Sequence, residues 1–187
     1  LKNKDVIDVA CGGGLLVEAL SKFGANVTGI DISDVAINTA QIHAEKTNCD
    51  VTYIHGEAED LLPEKKEQFD VVTCLEAIEH VPDPQQLVKT CSELCKPGGT
   101  IVFSTINRNP KSFLFAIIGA EYILNLLPKG THEFKKFLKP SELSNMMRNS
   151  NLEVKEIIGM SYNPLTKKYW LGKDVDVNYM IHAEKSK

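Results

Sequence analysis

The chain has 187 residues, a net charge of −4 and 43% hydrophobic residues, enough for one globular domain with a substantial core. It carries no basic block, so its composition gives no support to nucleic-acid binding. Five cysteines (Cys11, Cys49, Cys74, Cys91 and Cys95) form no CxxC pair and no regular framework, which points to reduced thiols in a cytosolic setting. Cys91 and Cys95, one helical turn apart, read as buried apolar residues before they read as a metal pair. No signal or transit peptide is visible. The chain starts at Leu1 almost on its first strand, and so is expected to be a trimmed product with helices preceding it.

Strand and helix patterns alternate from the start. Val6-Ile7 leads into Asp8-Val9-Ala10-Cys11-Gly12-Gly13-Gly14 and then a helix pattern over Leu15–Phe23. Strand, glycine turn and helix open a nucleotide-binding crossover. Glycines let the backbone approach a ligand closely, and the helix aims its free N–H groups at that ligand. A second strand, Asn26–Asp31, precedes a helix over Ser33–Lys46 capped by Ser33. Strands follow at Val51–Ile54 and Phe69–Cys74. The helix Pro84–Cys95 closes at Lys96-Pro97-Gly98-Gly99, a stop and turn before the strand Thr100–Thr105. Later come a helix, Pro140–Ser150, and strands Glu153–Met160 and Val175–Ala183. The alternation predicts an α/β, Rossmann-like fold: a mostly parallel sheet with helices on both faces. One domain is expected over 1–187, with a helical insertion at about 108–139.

Asp31 ends the second strand roughly 20 residues past the turn, where a carboxylate accepts hydrogen bonds from both ribose hydroxyls. NAD and S-adenosylmethionine share that feature, and the turn separates them. A pyrophosphate needs Gly-x-Gly-x-x-Gly at the helix N-terminus. Here Ala10, Gly12 and Gly14 alternate, and Leu15-Leu16-Val17 offers no third glycine. Asp8 would repel a pyrophosphate and suits the cationic amino and sulfonium groups of S-adenosylmethionine. The turn and its two acids therefore predict a methyl-donor site.

Glu76, Glu79 and His80 stand at i, i+3 and i+4 just past the fourth strand. On a helical turn all three face one way, at the carboxyl edge where such sheets bind ligands. Two carboxylates and an imidazole suit a divalent cation, with Mg²⁺, Mn²⁺ and Zn²⁺ all compatible. The same spacing also fits Glu79-His80 capping a turn while Glu76 faces water. His80 has a second possible role, as general base, because imidazole titrates nearest neutrality.

Ser112–Leu127 reads SFLFAIIGAEYILNLL. It is shorter than the about 20 apolar residues that span a bilayer. Glu121 and Asn125 interrupt it on one face, and Lys111 and Lys129 flank it. An amphipathic helix at a bilayer surface fits this pattern, as does a buried core or dimer helix.

These residues resemble the class I S-adenosylmethionine-dependent methyltransferases, whose seven-stranded sheet has an antiparallel last strand. The match sharpens at Glu76–Pro84, Lys96–Gly99, Ser104–Asn109, Gly119–Ile123, Pro128-Lys129-Gly130-Thr131-His132 and Val175–Tyr179. Over nearly the whole chain, these segments are similar to the ubiquinone-biosynthesis O-methyltransferase family. The resemblance implies donor contacts at Ala10, usually glycine in the family, and at Asp31 and Leu75. Glu57 and Ala58, after the third strand, are implied as adenine contacts. It also implies Mg²⁺ at Glu76, Glu79 and His80, with His132 a weaker candidate for the base.

The acceptor it implies is a polyprenyl phenol or quinol, which favours membrane contact through about 111–129. It further implies a cytoplasmic enzyme bound peripherally to the inner membrane, on the matrix side if mitochondrial, and contact with other ubiquinone-biosynthesis enzymes. The competing readings are a methyltransferase for a soluble small molecule, a donor-binding scaffold without activity, and an NAD dehydrogenase, which the turn disfavours.

Overall fold

In the computed structural model, β1 (Asp5–Val9) is buried from Val6 to Val9, as a central parallel strand covered on both faces requires. The structure describes residues 1–112, 134–163, 166 and 168–187. β1 lies between β2 (Asn26–Asp31) and β4 (Phe69–Leu75), parallel to both. β3 (Thr52–His55) extends the sheet beyond β2, and β5 (Cys95–Ile106) extends it beyond β4, again in parallel. The direction then reverses. β8 (Asn178–Lys185) runs antiparallel to β5 and to β6 (Leu152–Asn163), and β7 (Lys168–Gly172) pairs antiparallel with β6. The order is β3-β2-β1-β4-β5-β8-β6-β7. The antiparallel last strand is present as expected, and β7 makes the sheet eight-stranded rather than seven-stranded.

Successive residues of β1 serve opposite layers, as the two-residue repeat of a strand dictates. Val6 joins Val17, Val27 and Ile37 in the core beneath α1 (Leu15–Ser21) and α2 (Asp34–Thr47). Ile7 and Val9 join Ile30, Val72, Leu87, Val88 and Leu143 on the other face. There the cover is α4 (Pro84–Leu94) and α6 (Pro140–Arg148), with the single turn α3 (Leu62–Lys65) as a smaller piece; the short turn α5 (Pro110–Ser112) follows β5 in the chain. The predicted helices and strands fall within about two residues of where the pattern placed them, except that the last strand begins at Asn178 rather than Val175 and the sixth strand runs on to Asn163. Lys96-Pro97-Gly98-Gly99 is not a free turn, however. α4 passes straight into β5 at Cys95, and these residues form a register shift against β4 between the pairs Phe69–Cys95 and Val71–Thr100. Gly98, at φ 74°, supplies the left-handed residue that such a bulge needs.

All five parallel strands end on one edge, and β8 begins there, since its Asn178 pairs with Ile106 at the end of β5. That edge collects the chemistry-bearing residues. Most of the expected insertion, including Glu121, Asn125, Lys129 and His132, lies outside the described residues.

Candidate active site

The glycine turn is held from two directions. Asp31 Oδ2 accepts from the Gly12 N–H at 2.9 Å, and Asp31 Oδ1 accepts from the Ser33 N–H at 2.8 Å. One carboxylate thus ties the turn after β1 to the start of α2, where Ser33 Oγ caps the Ala36 N–H at 3.3 Å. A carboxylate offers about four lone-pair sites, so Asp31 keeps two for a ligand's hydroxyls. Ala10 and Gly12 adopt φ 59° and 52°. A side chain on Gly12 would meet only open space, where a ligand can lie against the backbone. Gly14, at φ 78°, differs: a Cβ there would run into the Tyr53 ring. The Tyr53 hydroxyl donates to the Gly14 carbonyl at 3.3 Å.

Asp8, the last residue but one of β1, is only 4% exposed. Thr73 of β4 donates to its Oδ1 at 2.6 Å. Burial pushes the Asp8 carboxyl up to about 6; the Thr73 hydrogen bond pulls against that shift, and the Asp31 charge adds to it. A buried carboxylate raised in this way gains from a cation brought beside it. Burial also pushes the Cys11 thiol up to about 12, which leaves it a poor nucleophile.

Next to Asp31, the Gly56 N–H donates to the Asp31 carbonyl at 3.0 Å. This places Glu57 and Ala58 on the same edge. Glu57 is exposed at the head of the 3-10 turn Ala58–Leu61, and Ala58 is buried. Leu75 closes β4, half-buried, opposite Ser104 of β5.

The expected common face of Glu76, Glu79 and His80 is not formed. Only Ile78–His80 is helical, as a 3-10 turn; Ala77 lies outside it at φ −124°, and Glu76 sits at φ 52°. The three residues therefore do not follow α-helical i, i+3, i+4 geometry. Glu79 is 3% exposed and accepts from Thr105 Oγ1 at 2.8 Å. Glu76 is exposed; its Oε1 accepts from Ser104 Oγ at 2.7 Å and its Oε2 from Asn178 Nδ2 at 3.1 Å. His80 is exposed. Among the described residues, no three His, Cys, Asp or Glu side chains come together to hold a metal ion. As arranged here, the Glu-x-x-Glu-His residues do not fit Mg²⁺.

A family model described as a methyltransferase domain matches residues 7–103. The ubiquinone biosynthesis O-methyltransferase of Pseudomonas syringae pv. tomato is 59% identical over 183 residues, covering 98% of this chain and 79% of that protein. The Nitrosospira multiformis protein of the same name is 57% identical over 97% of this chain and 76% of its own length. The chain belongs to the ubiquinone biosynthesis O-methyltransferase family.

As a member of that family it is an S-adenosylmethionine-dependent O-methyltransferase, and its fold agrees with solved methyltransferases. An S-adenosylmethionine-dependent methyltransferase from Methanosarcina mazei superposes with a TM-score of 0.73 at 21% identity, covering all of this chain and 94% of that one. Magnesium protoporphyrin IX methyltransferase from Synechocystis, solved with bound SAH, gives 0.72 at 19% identity, over 99% of this chain and 75% of that one.

The same edge also contains residues whose role the sequence does not reveal. Thr73, Ser104, Thr105 and Asn178 each hold one of its carboxylates. Ser104-Thr105 and Asn178 lie in segments that carried the family resemblance, but nothing in their spacing paired them with Glu76 and Glu79.

Proposed function

We propose that this chain transfers the methyl group of S-adenosylmethionine to a phenolic hydroxyl of polyprenylated ubiquinone precursors. The acceptors are 3-demethylubiquinol, giving ubiquinol, and the earlier 2-polyprenyl-6-hydroxyphenol. The observation that carries the donor site is the pair of carboxylates, Asp8 and Asp31, held at adjacent strand ends around one glycine turn. Asp31 takes the ribose hydroxyls. Asp8 faces the donor's positive groups. Ala10, Gly12 and Gly14 lend backbone, Leu75 packs against the donor, and Glu57 and Ala58 border the adenine.

A phenol titrates near 10, so only about one in a thousand is ionised at neutral pH, and full ionisation is worth about 4 kcal/mol. His80, exposed just past the end of β4, takes that proton; His132 is the alternative base. The phenolate oxygen then attacks the methyl carbon. The new O–CH₃ bond forms as the S–CH₃ bond breaks, leaving S-adenosylhomocysteine and a methyl ether. The protein's contribution is alignment and exclusion of water, and no cysteine is needed. The Mg²⁺ that the resemblance implies meets no three-donor site among the described residues, so no step is routed through it.

The acceptor's lipid tail supports contact with an anionic membrane surface through about 111–129, and a cytoplasmic enzyme bound peripherally to the inner membrane, on the matrix side if mitochondrial. No helix among the described residues is long and apolar enough to cross a membrane.

Titrating S-adenosylmethionine and NAD calorimetrically tests the donor. Binding of S-adenosylmethionine alone is expected, and binding of NAD alone would overturn the reading. Turnover of a short-tailed catechol, with Mg²⁺ and with chelator, then tests the acceptor and measures what a cation adds.

A further inference from the structure

The β6–β7 hairpin projects past the sheet edge that holds the candidate site. Met160 of β6 pairs with Asn178, the first residue of β8, and Asn178 pairs with Ile106, the last of β5. Ser161, Tyr162 and Asn163 therefore continue beyond the other strands, paired only with Trp170, Tyr169 and Lys168 of β7. The arm is not built for water. Tyr169 is 68% exposed, Trp170 51% and Leu171 58%. In a strand, Tyr169 and Leu171 face one side and Trp170 the other, so both faces of the arm are apolar and wet. Tyr162 stacks on Tyr169 with ring centroids 4.5 Å apart. Edge strands are usually blunted by charge or proline, yet this one presents three large apolar residues in a row.

The arm's base is fixed to the root of the insertion. Lys111 Nζ donates to Asp174 at 2.9 Å and to Asp176 at 3.0 Å. Asn107 Nδ2 donates to the Val175 carbonyl at 2.9 Å, and Asn109 Nδ2 to the Asp176 carbonyl at 2.6 Å. A Cβ on Gly159 would collide with the Asp174 backbone, so the loop after β7 lies flat on β6. Lys111 offsets one of the two charges of Asp174 and Asp176, and the exposed Lys168 and Lys173 then make the arm net positive.

We propose that this hairpin is a membrane-contact arm. Tyr162, Tyr169, Trp170 and Leu171 enter the headgroup boundary of an anionic bilayer, and Lys168 and Lys173 meet lipid phosphates. Tyr and Trp favour that boundary because one ring end is apolar and the other wet, and basic residues beside them add attraction to anionic lipid. A second copy of the chain pairing with β7 would satisfy its backbone edge. It would leave Trp170 and Tyr169, on opposite faces, still in water. The inference rests on reading the acceptor as a polyprenyl lipid, which the arm would bring the site edge toward.

Trp170 is the only tryptophan in the chain, so its emission reports on the arm alone. With the full chain and phosphatidylglycerol–phosphatidylcholine vesicles, a blue shift and quenching by brominated lipid are expected, both weaker with pure phosphatidylcholine. Tyr169→Ser with Leu171→Ser should lower vesicle affinity about tenfold, with S-adenosylmethionine affinity and turnover of a short-tailed acceptor unchanged. An unshifted Trp170 overturns the arm, and vesicle flotation measured in parallel separates the two failures. Flotation without a shift leaves membrane contact to the insertion, whereas no flotation removes the membrane reading as well. A shift that follows protein concentration without vesicles assigns the arm to a second copy and overturns the proposal.

Discussion

The two halves of the sheet edge are built differently. Around β1 and β2 the site is made of backbone: a turn with Ala10 and Gly12 in the left-handed region, and one carboxylate gripping two N–H groups across 19 and 2 residues of sequence. Around β5 and β8 it is made of side chains brought together from afar. Glu76 meets Asn178 across 102 residues, and Lys111 meets Asp176 across 65. The backbone half is the proposed donor site, and the side-chain half borders the proposed acceptor. A side-chain site is free to change its acceptor while the other half stays fixed, and the hairpin arm belongs to that second half.

The largest effect should come from breaking the backbone half. Asp31→Ala removes the proposed ribose acceptor and also releases Gly12 and Ser33. Hydrogen bonds to a charged group are worth about 1.5–3 kcal/mol each. The S-adenosylmethionine Kd is therefore expected to rise about a hundredfold, and chemical denaturation should show a stability loss of about 2 kcal/mol. Lower stability with an unchanged Kd would leave Asp31 a structural clamp only.

Asp8 sharpens the same half through pH. Its folded value, raised to about 6 by burial, lies above the unfolded one. Its ionisation therefore opposes folding: Asp8's contribution to the free protein's stability grows as pH falls from about 6 toward about 4 and is lost above about 6. In the proposed donor site binding runs the other way, because positive groups beside Asp8 favour its ionised form. Affinity for S-adenosylmethionine should fall about tenfold per pH unit below about 6. Asp8→Asn should be weaker at neutral pH and flat across that range. A wild-type profile as flat as that of the variant would remove Asp8 from the donor site.

The side-chain half breaks separately. Asn178→Ala removes one hydrogen bond to Glu76 without touching the turn. The kcat/KM for a catechol acceptor is expected to fall about tenfold with the donor Kd unchanged. An equal loss in both would mean that the halves are coupled.

This contrast also explains what was legible in the sequence. The alternation of strand and helix, the turn and the acid at Asp31 are local patterns, and short-range spacing records them. Glu76, Glu79 and His80 also look local, but their grouping is decided at long range, by Thr105 and Ser104 on β5 and Asn178 on β8. A helical-face argument assumes that Glu76 is helical, and its φ of 52° places it outside the helix. β7 was missed because Lys168–Gly172 is only five residues long. It follows an Asn163-Pro164 turn signal and has no alternation, being exposed on both faces. Lys96–Gly99 misled in the opposite way: a Pro-Gly-Gly run reads as a turn, and here it forms a bulge within a strand.

The smallest expected effect tests how much strain the backbone half carries. Ala10 sits at φ 59°, where an L-residue costs about 1–2 kcal/mol. Glycine there removes that strain but loses about 0.5–1 kcal/mol of chain entropy. Ala10 is exposed, so its methyl contributes no core packing. Ala10→Gly should therefore raise stability by about 0.5 kcal/mol, read as a shift in urea midpoint at constant slope. The donor Kd should move by less than about threefold, since the Asp31 carboxylate that grips the turn is untouched. A loss of stability would mean that the methyl is packed, and that the turn depends on side-chain contact as the β5–β8 half does.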